Sequence, residues 1–222
     1  MYHYSLSLAL FDFVPVILSG IGWYWLSRWV TLKRTSYRNL LLAGGLLVVL
    51  GGVSKVSWKL VIALSGNSID FLNNNLFLLM TPGFALIFVA VWRAAGQTVN
   101  TSSRDILLVI SLGLSLLSPL LAENVSNHPR AWFLSLVALT TLFNCAIIGR
   151  LCTYAWPRGQ RLSACLFAFN LIAALVLSGL ARGGDHSEGM QWIEESINTA
   201  AQGALALAAY RLTQQEKMRG TS

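Results

Sequence analysis

From about residue 5 to residue 212 the chain is a succession of seven apolar runs, each long enough to cross a bilayer at ~20 residues per helical span. They lie at about 5–27, 39–64, 71–93, 106–122, 131–156, 162–181 and 190–212. No connector exceeds about a dozen residues, which leaves no room for a soluble domain. Only 11% of the 222 residues are charged, against roughly 25% in soluble domains. A membrane β-barrel would read as short alternating segments, and none occur. The expected fold is all-α: one membrane domain over 1–222, with seven transmembrane helices.

The formal charge of +7 follows the connectors. Arg28, Lys33, Arg34 and Arg38 lie between spans one and two. Arg93 and Arg104 flank the third connector, Arg150, Arg158 and Arg161 the fifth, and Arg211, Lys217 and Arg219 the tail. The alternate connectors carry Asp70, Glu123, Asp185 and Glu188, with Arg130 the main exception. Basic residues mark the cytoplasmic side, so the N-terminus is expected outside and the C-terminus inside. The basic excess is topological, the bilayer is the expected partner, and nucleic acid is not. A cell membrane, in a bacterium the inner one, is the expected location. Met1-Tyr2-His3-Tyr4-Ser5 lacks the basic n-region of a signal peptide.

Against this background the last run is anomalous. Gln191, Glu194, Glu195, Asn198 and Gln202 recur at three- and four-residue spacing and form a polar stripe on a helix. Ionised side chains at the centre of a membrane helix cost about 2.5–3.5 kcal/mol each, so they face partners or water. Glu194, Asn198 and Gln202 are taken to share the inward face best, with Glu195 the marginal member.

Further polar groups occupy the same half of the bundle. Asp12 lies about two turns into span one, followed by Pro15, Ser19 and Trp23. Lys55 and Lys59 share one face of span two, Asn73, Asn74 and Asn75 open span three, and Arg182 ends span six. At 1.5 Å per residue, Lys55 lies ~13 Å below the outer end of its helix and Glu194 and Glu195 ~6–8 Å below theirs. Those depths match Lys59 and Arg182 to the carboxylates as counter-charges and Asp12 to Lys55. The expected binding residues are Asp12, Lys55, Asn74, Glu194, Glu195, Asn198 and Gln202. Pro82-Gly83 interrupts span three and can act as a hinge, a static kink or part of a site.

The chain also matches itself. Leu50-Gly51-Gly52-Val53-Ser54-Lys55 aligns with Leu177-Ser178-Gly179-Leu180-Ala181-Arg182, and at the same offset Trp29 falls on Trp156 and Arg34 on Arg161. After a shorter connector, Phe71–Leu76 lies over Trp192–Ile197. This is the pattern of a parallel 3+1+3 repeat with span four as linker, beside which chance similarity within the membrane alphabet stays open. In span count and order the layout is similar to that of SWEET-type sugar transporters, and more distantly to the opsin and receptor arrangement. It departs from the first in lacking their paired Pro-Gln or Pro-Asn signatures, and from opsins in having no lysine in span seven to hold retinal.

His3, His128 and His186 all lie in expected outer segments, which argues against a buried haem or a His-based zinc site. Cys145, Cys152 and Cys165 form no metal or disulfide spacing. No cofactor or metal is expected, and the missing histidines speak against an enzyme. A permease for a small solute, coupled to an ion, accounts best for the polar cluster. A seven-helix sensor working through a partner and a structural subunit are the alternatives; a homo-oligomer or membrane partner protein stays open.

Overall fold

A computed structural model of the chain describes residues 5–96, 102–125, 128–180 and 187–220, with side chains from 106 onward in the second segment. The described residues form helices and turns, without a strand.

The first run is broken into α1 (Leu6–Phe11) and α2 (Phe13–Arg34), with Asp12 at the junction. Pro15 explains the break. It has no N–H to give the Phe11 carbonyl, and as third residue of α2 it falls where a helix needs no donor. A 3₁₀ turn, Thr35–Tyr37, leads into α3 (Arg38–Ser65). Gly66, at φ 70°, ends α3 in the left-handed conformation open to glycine, its N–H donating to Ile62 O at 2.9 Å.

α4 (Asp70–Ala95) runs through Pro82 as one helix. α5 (Ser102–Val125) and α6 (Ala131–Ala155) follow, then a 3₁₀ turn, Trp156–Arg158, and α7 (Arg161–Leu180). α8 (Glu188–Arg219) is capped by Ser187 Oγ, which accepts from Met190 N at 3.3 Å. It continues seven residues past the expected end at 212, because no helix breaker occurs before Gly220.

Among the described residues, five stretches are long and apolar enough to cross a membrane: Leu6–Ser65, Asp70–Ala95, Ile106–Val125, Ala131–Arg158 and Arg161–Leu180. The first folds back as the packed helices α2 and α3. The polar stripe keeps α8 out of this set. Large apolar side chains such as Ile17, Leu46, Leu116, Leu142 and Ile172 remain exposed around the bundle, as lipid-facing residues are. The apolar helices mark an integral membrane protein.

Contacts along the helices fix their directions. Gly22 meets Leu205 and Lys33 meets Glu216, so α2 and α8 run parallel. Phe77 meets Phe133 and Phe88 meets Phe143, so α4 and α6 also run parallel. α3 packs antiparallel to both α2 and α4: Val16 meets Gly52 and Trp23 meets Gly45, while Ser54 Oγ donates to Leu72 O at 2.9 Å and Gly44 crosses Gly83. α7 joins α6 and α8, and α5 packs on α4 and α6. The core is densest toward the α2 C-terminus, where Leu26, Trp29, Ile147, Leu151, Phe167 and Leu212 are all fully buried.

Candidate functional site

The other half of the bundle encloses a cavity of about 470 Å³, within the ~300–1,000 Å³ typical of small-molecule sites. α1 and α2 contribute Asp12, Pro15, Val16, Ser19 and Trp23 to its wall, and α3 contributes Val48, Gly52, Lys55, Val56 and Lys59. α4 supplies Leu76, Phe77, Met80 and Phe84; α7 supplies Leu177 and Ser178; α8 supplies Glu194, Glu195, Asn198 and Gln202. Trp23 and Phe84 meet edge to face at 5.8 Å between ring centroids, an apolar end opposite the charges.

The charges are arranged in two groups. Lys59 Nζ lies 2.5 Å from Asp12 Oδ2 and 2.7 Å from Glu195 Oε1. Asp12 is 2% exposed, and both of its carboxylate oxygens are buried. The helix break at the junction of α1 and α2 presents this carboxylate to α3. Asn198 Nδ2 approaches Glu195 Oε2 at 3.4 Å, and Gln202 Nε2 approaches Asn198 Oδ1 at 3.5 Å. One turn deeper, Lys55 Nζ donates to Asn73 Oδ1 at 2.5 Å and lies 4.0 Å from the Trp58 ring centroid. Trp58 is itself held by its Nε1, which donates to Ser68 Oγ at 3.0 Å.

No protein-family model, curated protein or solved structure matches the chain. The site's chemistry therefore has to be read from its own residues.

Six of the expected binding residues, Asp12, Lys55, Glu194, Glu195, Asn198 and Gln202, line this one cavity with Lys59. Asn74 does not; its neighbour Asn73 touches Lys55 instead, because one residue along a helix turns the side chain by about 100°. The expected Asp12–Lys55 pairing is also overturned, since Asp12 pairs with Lys59. Depth counted along a helix gives height but not direction, and Lys55 points toward α4.

Glu195, taken as the marginal member of the stripe, is the carboxylate bonded to both Lys59 and Asn198. At 3.6 residues per turn it lies about 20° from Gln202 around the axis, whereas Glu194 lies about 80° away. Arg182 lies outside the described residues. Gly83 serves close helix approach, and Met80 and Phe84 beside the Pro82-Gly83 pair face the cavity.

At the far end of the bundle is a cluster that the sequence reading passed over. Lys33 of α2 forms an ion pair with Glu216 of α8, and Tyr154 of α6 donates its hydroxyl to Glu216 Oε2 at 2.9 Å. Arg158 stacks on the Tyr154 ring at 3.8 Å, Trp29 meets that ring edge-on at 5.1 Å, and Arg219 donates to Arg158 O. Glu216 falls beyond 212, where the seventh apolar run ends. The spacing of Leu205, Leu212 and Glu216, on one face of an unbroken helix, was the signal that would have found it.

Proposed function

We propose that the chain is a seven-span, ion-coupled permease for a small solute, with its N-terminus outside and its C-terminus in the cytoplasm. The observation that carries this reading is the cavity itself. It holds ionisable groups inside a membrane bundle, where they persist only with a partner or a task, and the opposite end is packed shut around Trp29 and the Lys33–Glu216–Tyr154 cluster. A site accessible from one side and sealed from the other is what alternating access requires of either end state.

In this reading α8 is the seventh span. Its stripe faces the cavity, and α2 and α7 pack against the helix, so it does not need the apolar composition of the other helices. Asp12 and Glu195 share one lysine, and the surplus negative charge takes a proton or cation. Lys55 offers a positive group to the solute, and Asn198 and Gln202 offer hydrogen bonds.

The packing also supports a duplicated 3+1+3 architecture. Exchanging α2, α3 and α4 for α6, α7 and α8 turns the parallel α2–α8 pair into the parallel α6–α4 pair, and the α3–α4 contact into α7–α8. α5 then stands outside both triplets as the linker. Rocking of one triplet against the other, with Pro82 as the flexible point of α4, exchanges the open end.

The test is solute-driven proton movement in proteoliposomes loaded with a pH-sensitive dye. Wild type is expected to respond to at least one solute of a chemically diverse panel, with the response lost in Lys55→Ala and in Glu194→Ala/Glu195→Ala. Equal responses of all three proteins to every solute would remove the cavity from the transport path.

A further inference from the structure

Four of the five cavity charges, those other than Glu194, are not only mixed but sorted. Asp12 and Glu195 converge on a single ammonium, Lys59, so that group is short of one positive charge when all three are ionised. Lys55, four residues earlier on the same face of α3, has the opposite deficit. Its partners among the described residues are the neutral Asn73 amide and the Trp58 ring. An ammonium can donate three hydrogen bonds, and Asn73 takes one. Positions 55 and 59 are one helical turn apart, about 6 Å of backbone rise, with Lys55 Nζ turned toward Asn73 of α4 and Lys59 Nζ toward Asp12 and Glu195. Both open on the same cavity, which runs on to the apolar surfaces of Val48, Met80, Phe84 and Trp23.

Resting on the permease reading only for access from the membrane surface, we infer that the cavity binds a small amphipathic zwitterion, an α-amino acid with an apolar side chain being the simplest case. Its carboxylate sits on Lys55, completing that ammonium's hydrogen bonds. Its ammonium sits against the Asp12–Glu195 pair, with Glu195, the more exposed of the two, accepting from it. Its apolar side chain lies against Trp23, Met80 and Phe84. The two charged groups of such a ligand, with a hydrogen bond at each end, span about one helical turn. A simple anion satisfies Lys55 but brings nothing to the carboxylate pair, and a simple amine does the reverse. Each leaves a desolvated charge uncompensated, which is the costly outcome in a low-dielectric site.

The experiment compares three probes of nearly equal size on the purified full-length protein in detergent: leucine, 4-methylpentanoate and 3-methylbutylamine. Binding is read by intrinsic tryptophan fluorescence, since Trp23 lines the cavity and Trp58 lies under Lys55, and independently by calorimetry. Leucine is expected to bind roughly tenfold or more tightly than either analogue, the discrimination a site gains when a missing polar group strands its partner. Lys55→Gln is expected to lose the preference for leucine over the amine, and Lys55→Arg to keep it.

Either analogue binding as tightly as leucine overturns the inference, as does an unchanged preference in Lys55→Gln. If Lys55→Gln does not fold, the three probes on wild type and on Lys55→Arg still decide. Leucine binding without any flux in proteoliposomes sinks the permease reading and leaves the zwitterion site standing. Flux confined to ions or uncharged solutes, with no leucine binding, does the opposite.

Discussion

Gly44 of α3 and Gly83 of α4 pass each other backbone to backbone: a Cβ on Gly44 would lie 2.6 Å from the Gly83 carbonyl oxygen, and one on Gly83 2.8 Å from that of Gly44. Backbone cannot yield as a flexible side chain can, so the helices would have to separate. Such separation moves Met80 and Phe84, on the neighbouring turns of α4, away from Val48 and Lys55 across the cavity. Gly44→Ala is therefore expected to cost about 1–3 kcal/mol, as overpacking of a fitted interface does, and to weaken any ligand binding in the cavity. Gly113→Ala, at a helical glycine with nothing within 4 Å of an added Cβ, is the matched control. Thermal unfolding in detergent reads both. Equal melting temperatures would show that the crossing relaxes freely.

The Asp12–Lys59–Glu195 group predicts a hierarchy. Lys59→Met leaves two buried carboxylates facing each other with no cation between them, a change expected to cost about 3–5 kcal/mol, as when one partner of a buried pair is removed. Replacing the whole set, Lys59→Met with Asp12→Asn and Glu195→Gln, is expected to recover most of that loss, because no charge is stranded. Recovery of stability without recovery of solute-driven flux would mark the charges as functional rather than structural. A triple variant no more stable than Lys59→Met would mean that the group is held by something other than charge balance.

Asn170 offers a smaller, cleaner test of how α7 is tied to α8. It is buried, and its Nδ2 donates to Ala201 O at 2.9 Å. Hydrogen bonds between membrane helices average about 0.6 kcal/mol in double-mutant cycles, with a maximum of ~1.7. Asn170→Leu is expected to lower stability within that range while leaving leucine binding intact, since Asn170 does not line the cavity. A larger loss, or loss of binding, would place Asn170 in the site's support.

The helices were legible because the apolar runs are long and sharply bounded; Arg38–Ser65, Asp70–Ala95, Ala131–Ala155 and Arg161–Leu180 begin and end within two residues of the sequence reading. The candidate site was legible as an inventory, because charges in an apolar run stand out by their cost. Its wiring was not. Whether Asp12 meets Lys55 or Lys59 depends on the azimuth of each helix and on the break that Pro15 imposes, which residue counting does not resolve. The exchange of Asn74 for Asn73 is the same failure by a single residue. The Lys33–Glu216 pair was hidden for a different reason. Both residues lie at helix ends, where charged side chains are ordinary, and only the packed structure shows α2, α6 and α8 converging there.

That convergence makes the most direct prediction about mechanism. Glu216 is reached by Lys33 from α2 and by the Tyr154 hydroxyl from α6, so one carboxylate on α8 ties together helices from both proposed triplets. Hydrogen bonds to charged groups contribute about 1.5–3 kcal/mol, and loss of one such contribution is enough to shift a two-state equilibrium about tenfold. Glu216→Gln keeps the shape of the side chain and removes its charge. The expected result is easier opening of this end, read as faster modification of a cysteine placed at Ser27, which is 1% exposed and one helical turn or more inside the Lys33 pair. The reagent is a membrane-impermeant maleimide applied from the cytoplasmic face, in a background with Cys145, Cys152 and Cys165 replaced by serine. Tyr154→Phe, which removes one bond and leaves the ion pair, is expected to give an intermediate rate. Faster labelling with an unchanged melting temperature would identify the cluster as a latch on a conformational change. Faster labelling that tracks a general loss of stability would make it ordinary packing, and unchanged labelling in both variants would mean that this end stays shut without it.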